Sequence, residues 1–323
     1  MIGAGLHLFR IGIIGLGNQS IKIIKFLKKM KLEPYYIYVR KKKRIYKDYK
    51  NLTTSLNDLK KCKIIFICTP HNTHLFYINK FVFNKDTYLF CEKPPANKLN
   101  DLNKIMKINY KKIYFNFNYR FTILFKILSN TKKYNLGNLL YGNVILAHGL
   151  ATKKKYLKSW RSNKKITPLG ILEILSIHFI DLVLNTFGIS NLKIQNLKSL
   201  KKSKNYDSSF VDIYTKCKKN ITIFNSYNSP LVEKKIFVFE NGYVEQDENE
   251  INIFGPRDEF NKNGNFIKPK KIFSKKINST EDFNNSLNDS VNYFINKVRK
   301  KQFFAKSLFN NSIKSNQNIL KHN

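Results

Sequence analysis

Residues 10–20 read Arg-Ile-Gly-Ile-Ile-Gly-Leu-Gly-Asn-Gln-Ser, and the fold is decided there. Arg10 to Gly15 is a short apolar run stopped by glycine, the pattern of a buried strand. From Asn18 to Lys29, Ile21, Ile24 and Lys28 recur at helical spacing, with Ile23, Phe26 and Leu27 filling in. Between them lies Gly15-Leu16-Gly17-Asn18-Gln19-Ser20, a glycine-rich turn between strand and helix. Gly15 suits the tight turn, Gly17 lets backbone approach a pyrophosphate, and Ser20 is small enough for helix to pack on strand. The free amides at the helix start attract phosphates. The plainer alternative is an ordinary strand-turn-helix corner built of small residues.

The same alternation continues outward. Strand patterns fall at Tyr35–Val39, Ile64–Cys68, Tyr88–Cys91 and Ile113–Asn118, with helical patterns at Ser55–Lys60, Thr73–Val82 and Leu99–Ile108. Strand and helix alternating at this pitch predict a doubly wound parallel sheet, a Rossmann dinucleotide-binding domain over 1–121. After Phe121 the pattern changes. A helical stretch at Phe121–Leu128 and a strand at Leu140–Ala147 precede one long helix, Pro168–Phe187. Strands follow near Leu192–Leu200, Phe210–Cys217, Ile221–Tyr227 and Lys235–Glu240, with an Asn241-Gly242 turn signal. Helices return at Glu281–Lys297 and Ser307–Leu320. The expectation for 122–323 is an α+β domain, mostly antiparallel, with its sheet covered on one face. An apolar second face would make the chain a homodimer or homotetramer.

Composition bounds the rest. Area scaling for 323 residues and 38.1 kDa gives roughly 14,000 Å² folded against roughly 55,000 Å² unfolded, so a sizeable core needs no disulfide or metal. With 42% hydrophobic and 25% charged residues, a fully disordered chain is excluded. Lys and Arg number 59 against 21 Asp and Glu, a balance of +38. Such a charge suits a polyanion binder. The lysines, however, scatter through almost every segment, and Lys, Asn, Ile, Phe and Tyr are jointly abundant, as an AT-rich genome would supply. Specific nucleic-acid binding is therefore not expected. Cys62, Cys68, Cys91 and Cys217 form no CxxC pair and read as reduced, buried thiols, with no metal site. The apolar start before Arg10 is too short for a signal peptide, and no uncharged run reaches about 18 residues. The expectation is a soluble, cytoplasmic protein with no membrane partner.

Two further segments carry chemistry. The second strand ends in Arg40-Lys41-Lys42-Lys43-Arg44, where an acid would bind the adenosine ribose hydroxyls. The basic cluster suits a 2′-phosphate instead, so NADP is favoured over NAD within an NAD(P) reading, although lysine is common everywhere in the chain. Past the fourth strand stands Cys91-Glu92-Lys93-Pro94-Pro95. A lysine at the carboxyl edge of a parallel sheet can hydrogen-bond a substrate hydroxyl and help to move its proton. A solvated surface lysine is the alternative.

With Cys68-Thr69-Pro70-His71-Asn72-Thr73-His74 after the third strand, these motifs resemble the Gfo/Idh/MocA oxidoreductases. The resemblance continues through Asn118-Tyr119-Arg120-Phe121, Trp160-Arg161 and the helix carrying His178 and Asp181. It implies hydride transfer between a nicotinamide and a sugar, polyol or nucleotide-sugar hydroxyl. It places Gly15, Gly17, Asn18, Gln19, Arg40, Thr69, Pro70, His74, Glu92 and Lys93 at the cofactor. Lys93, Arg120, Trp160, Arg161 and His178 fall at the substrate, with Lys93 and His178 catalytic. The family's helix carries an Asp four residues before the His, and here that position is Ile174. Residues four apart share a helix face, so Ile174 cannot assist His178. Glu173 stands about 100° round an undistorted helix. A dinucleotide-binding sensor or scaffold that lost catalysis is the rival expectation.

Overall fold

The computed structural model describes residues 9–257 and 260–321; residues 1–8, most of the start read above as no signal peptide, lie outside them. The chain forms two compact units. Among the described residues, one comprises 9–117 and Leu287–Leu320, the other Asn118–Ser286 with Lys321.

The first unit is built on a six-stranded parallel sheet. Its strands are β1 (Ile11–Ile14), β2 (Pro34–Tyr38), β3 (Leu52–Thr53), β4 (Ile64–Ile67), β5 (Tyr88–Glu92) and β6 (Ile113–Asn116). Their spatial order is β3-β2-β1-β4-β5-β6, all pairs parallel. The order reverses between β1 and β4, which is where open parallel sheets leave a crevice at their carboxyl ends. The strands β1, β4, β5 and β6 are buried throughout, as unbroken apolar runs such as Ile64-Ile65-Phe66-Ile67 require. Helices α1 (Asn18–Lys29), α2 (His74–Phe81) and α3 (Leu99–Met106) follow β1, β4 and β5.

The single boundary expected at residue 121 is replaced by a return of the chain. From Leu287 onward, helix α7 (Ser279–Arg299) and then α8 (Lys306–Leu320) belong to the first unit. Leu287, Val291, Phe294, Ile295 and Val298 recur at helical spacing and pack with Ile11, Ile13, Phe66, Phe90 and Tyr114 of the sheet. Phe294 stacks on Phe304 at 5.6 Å and meets Phe66 and Phe90 edge-on. Burying five such side chains against the sheet, at about 1.5–3 kcal/mol each, fixes where this segment goes.

The second unit carries an eight-stranded sheet. Its strands are β7 (Leu139–Ala147), β8 (Ile189–Leu197), β9 (Ser208–Thr215), β10 (Asn220–Ser226), β11 (Val232–Phe239), β12 (Gly242–Asp247), β13 (Glu250–Phe254) and β14 (Lys271–Lys276). They lie in the order β14-β13-β12-β11-β7-β10-β9-β8, antiparallel except for β7 with β10. Buried and accessible residues alternate along β9 and β11, so one face is packed and the other is open. Lys271–Lys276 was not legible as a strand: an exposed edge strand rich in lysine carries no apolar alternation.

The helix expected over Pro168–Phe187 is interrupted. Gly170 turns at φ 55°, where an added Cβ would stand 2.2 Å from the Tyr206 carbonyl oxygen. Leu172–Ser176 is then a π-turn, in which the Ile177 N–H reaches back five residues to the Leu172 carbonyl. A regular α-helix occupies only Ile177–Thr186. The wider turn holds one extra residue, so spacing by four no longer defines the face on which residues 173 and 174 lie.

Candidate functional site

In the first unit, the predicted cofactor residues gather at the carboxyl ends of β1, β2, β4 and β5. Gly15 adopts φ 89°, and a Cβ there would meet Thr69 Cγ2 at 3.0 Å and the Cys68 carbonyl oxygen at 3.1 Å. Glycine is thus required by the fold itself. Gly17 is different. Its φ of −109° is ordinary and a Cβ would meet nothing within 4 Å. Nothing inside the protein demands glycine there, while an open approach to backbone at the start of α1 suits a pyrophosphate. Ser20 closes the turn, its hydroxyl accepting the Gly17 N–H and donating to the Gly17 carbonyl, both at 2.8 Å. Asn18 is exposed and Gln19 half-exposed beside it. Arg40 through Arg44 stand exposed just past β2. These residues fit a dinucleotide.

Thr69 and Pro70 are half-exposed past β4, but His74 is fully buried and stands behind this loop rather than lining it. Its Nδ1 lies 2.9 Å from the Pro94 carbonyl oxygen and its Nε2 2.9 Å from that of Thr69. The imidazole staples the loop after β4 to the loop after β5. Two carbonyls favour the doubly protonated ring. Burial, with His71 adding to it, prevails and holds the pKa down to about 4.

The loop after β5 is fixed at several points. The Ala96 N–H donates to Asn316 Oδ1 of α8 at 2.8 Å. Glu92 ends β5 buried, and Asn116 Nδ2, in register on β6, donates to Glu92 Oε1 at 2.8 Å. Burial pushes the Glu92 carboxyl up to about 7, against the Asn116 hydrogen bond, the Lys93 charge and the Lys93 backbone N–H. Lys93 itself is half-buried. Cys68 and Cys91, near Glu92, are pushed well up by burial and stay thiols. Cys62, Cys68, Cys91 and Cys217 are all free. Cys217, expected buried, is exposed, because it falls in the Thr215–Lys219 turn after β9.

Glu92 and His74 make opposite contributions to stability. The folded Glu92 pKa lies above its ordinary value, so its contribution falls as pH rises from about 4.5 to 7. The folded His74 pKa lies below, so its contribution is lost as pH falls from about 6.5 to 4. At 1.36 kcal/mol per pKa unit each amounts to roughly 3 kcal/mol. Between pH 4.5 and 6.5 the two nearly cancel. Denaturant midpoints for Glu92→Gln should therefore rise across that window, while the parent stays nearly level. A Glu92→Gln profile parallel to the parent's would show that Glu92 does not titrate there.

In the second unit, His178 opens the regular part of its helix, α6 in chain order if Ile123–Leu128 is α4 and Lys154–Leu157 is α5. It is buried and lies against the Tyr119 ring at 4.5 Å, with Phe283 edge-on at 6.3 Å. Arg120, expected at the substrate, makes a buried bidentate pair with Asp181: Nε to Oδ2 at 2.8 Å and Nη2 to Oδ1 at 2.6 Å. Asp181 stands one turn beyond His178 and also accepts from Asn185 Nδ2. The pair thus fixes the chain that carries Tyr119 to the helix that carries His178. Sequence reading missed Tyr119, although it lies inside the quoted Asn118–Phe121 segment. Trp160 and Arg161 are half-exposed, the guanidinium 4.6 Å from the indole centroid.

Glu173, buried, accepts the Leu169 N–H on Oε1 at 3.0 Å and so closes the first turn of the interrupted helix. Ile174 packs against the cluster of Ala151, Tyr156, Ile171 and Tyr227. Among the described residues no helix is long and apolar enough to cross a membrane, and no group of three or more His, Cys, Asp or Glu could hold a metal ion.

The reversed strand order, the left-handed Gly15 and the open Gly17 define a Rossmann unit with an open turn that suits a dinucleotide. Residues 9–113 match the model of the Gfo/Idh/MocA oxidoreductase family, NAD-binding Rossmann fold. No curated protein matches the sequence. Among solved structures, a levoglucosan dehydrogenase in complex with NADH has a TM-score of 0.79 at 13% identity, covering 97% of this chain and 96% of its own. A dehydrogenase (MviM) from Clostridium difficile has a TM-score of 0.72 at 19% identity, covering 97% and 98%. A myo-inositol dehydrogenase from Corynebacterium glutamicum has a TM-score of 0.73 at 17% identity, covering 96% and 93%. At these identities the likeness is one of fold, over both units.

Proposed function

We propose that the protein is an NAD(P)-dependent dehydrogenase or reductase acting on a hydroxyl or ketone of a sugar, polyol or nucleotide-sugar. The observation that carries this is Lys93 at the carboxyl edge of an NAD-binding sheet, on a loop held by His74 and Asn316. A bound nicotinamide dinucleotide supplies the hydride acceptor or donor. Gly15, Gly17, Asn18 and Gln19 hold its pyrophosphate, and Thr69 and Pro70 line it. Lys93 donates a hydrogen bond to the substrate oxygen and stabilises developing alkoxide charge. His178, its ring orientation set by Tyr119, is the second group proposed to exchange the substrate proton. Trp160 and Arg161 are proposed substrate contacts, whereas Arg120 acts through Asp181.

Reduced thiols and a dinucleotide cofactor suit a cytoplasmic enzyme. The open face of the second unit's sheet carries Tyr141, Phe210 and Tyr214, each roughly two-fifths exposed. That apolar surface supports a homodimer or homotetramer. Light scattering at micromolar concentration tests it, and a monomer would contradict it.

NADP is proposed as the preferred form, because the exposed Arg40–Arg44 run offers positive charge where a 2′-phosphate would lie. Titration should give tighter binding of NADPH than NADH, and Arg40→Asp should reverse the order by repelling the phosphate. Equal affinities in the parent protein would remove the argument.

A sensor without turnover is the second reading, favoured by Glu173 and Ile174 being engaged with Leu169 and an apolar cluster. Bound dinucleotide with no transfer to any sugar would favour it.

A further inference from the structure

Glu92 is a buried carboxyl that the mechanism above leaves unused. It belongs to a four-residue chain whose hydrogens all point one way. Ser290 Oγ of α7 donates to Asn116 Oδ1 at 2.7 Å, so its own proton is committed. Tyr114 and Ser290 hydroxyls stand 2.8 Å apart, and Tyr114 must therefore be the donor. Asn116 Nδ2 then donates to Glu92 Oε1. A carboxylate only accepts, so this fixes the amide's orientation as well. Tyr114, Ser290 and Asn116 thus form a relay of donors ending on one oxygen of a group that burial would otherwise keep neutral. The Lys93 charge and backbone N–H and the Cys68 and Cys91 thiols also act on that carboxyl. The charged and neutral forms of Glu92 are thereby brought close in free energy, on the residue that precedes Lys93 in the chain and within reach of its charge.

We propose that Glu92 is the proton partner of Lys93, held in position by Asn116. The inference rests on the proposed dehydrogenase reading. In the oxidising direction the substrate carbon gives its hydride to the nicotinamide and the hydroxyl O–H bond breaks. The Lys93 ammonium passes a proton to the Glu92 carboxylate, which becomes the acid, and the amine so formed takes the hydroxyl proton and ends as the ammonium again. In the reducing direction the same protons run back. Glu92 acts through Lys93 and does not touch substrate.

The test begins with the full chain without cofactor. Carboxyl ¹³C resonances of protein labelled at glutamate are followed against pH, with Glu92→Gln identifying the signal. The expected midpoint is near 7. Asn116→Leu removes the donor and should move it up; Ser290→Ala, a milder change that keeps the amide, should move it up less. Lys93→Met should also raise it, by removing the neighbouring positive charge. A midpoint in the ordinary carboxylate range, or one unmoved in both Ser290→Ala and Lys93→Met, overturns the proposal even if Asn116→Leu fails to fold. With an active substrate, Glu92→Gln should remove the limb of the kcat–pH profile near 7, and Glu92→Asp should restore part of it. An unchanged limb in Glu92→Gln would contradict the relay while leaving the dehydrogenase reading intact. Absent turnover in the parent would instead sink that reading, and with it the reaction step, whatever the resonances show.

Discussion

Lys93→Met is expected to lower turnover by about 10²–10⁴-fold, the range of a positioned general acid–base group. Methionine keeps much of the volume of the lysine stem and removes the charge and the donors. The proposed pyrophosphate cradle lies elsewhere on the sheet, in the Gly15–Gly17 turn. Dinucleotide affinity should therefore stay within a few-fold while kcat collapses. A fall in kcat/KM carried wholly by KM would mean that Lys93 only binds substrate. Parent-like turnover in Lys93→Met would overturn its assignment.

Arg120→Met is expected to destabilise the second unit by about 3–5 kcal/mol, the cost of leaving one partner of a buried ion pair alone. The side chains of Arg120 and Asp181 are 6% and 1% exposed, so water cannot replace the missing guanidinium. The double variant Arg120→Met with Asp181→Leu should recover most of that loss, because no unpaired charge remains. Urea denaturation followed by circular dichroism reads both. Additive losses in the double variant would show that the pair contributes little beyond its separate packing. In the single variant the Tyr119–His178 stack should loosen, and the His178 ring resonances should broaden or shift.

The sequence made the first sheet legible because each core strand is an unbroken apolar run ended by a turn signal, and each helix shows its own period. Two-residue β3 gave no such signal, being too short to show alternation. The C-terminal helices were visible as amphipathic patterns, yet an apolar stripe does not say which sheet it covers. Leu287 to Val298 could be assigned to the first unit only by contact with Phe66, Phe90 and Tyr114.

The candidate site was legible in the same uneven way. Gly15, Gly17, Thr69 and Lys93 follow from their places at strand ends. The roles of Arg120 and His74 do not, since their partners Asp181 and Pro94 lie 61 and 20 residues away. The helix register failed for a physical reason. Ile171 to Val183 is apolar on nearly every side, so its periodicity has no phase, and a π-turn can enter without disturbing the pattern. Glu173 could not be placed without the backbone bond from Ile177 to Leu172.

The most direct test of the account is isotope transfer. The protein is mixed with NADPH or NADH deuterated at the nicotinamide C4 position, together with aldoses, ketoses, inososes and 4-keto nucleotide-sugars, and the products are read by mass spectrometry. The account predicts deuterium bound to carbon in one class of these substrates, with Lys93→Met slowing its appearance at least a hundredfold. Dinucleotide bound by the parent protein, with no deuterium reaching any carbon of the panel, would contradict it.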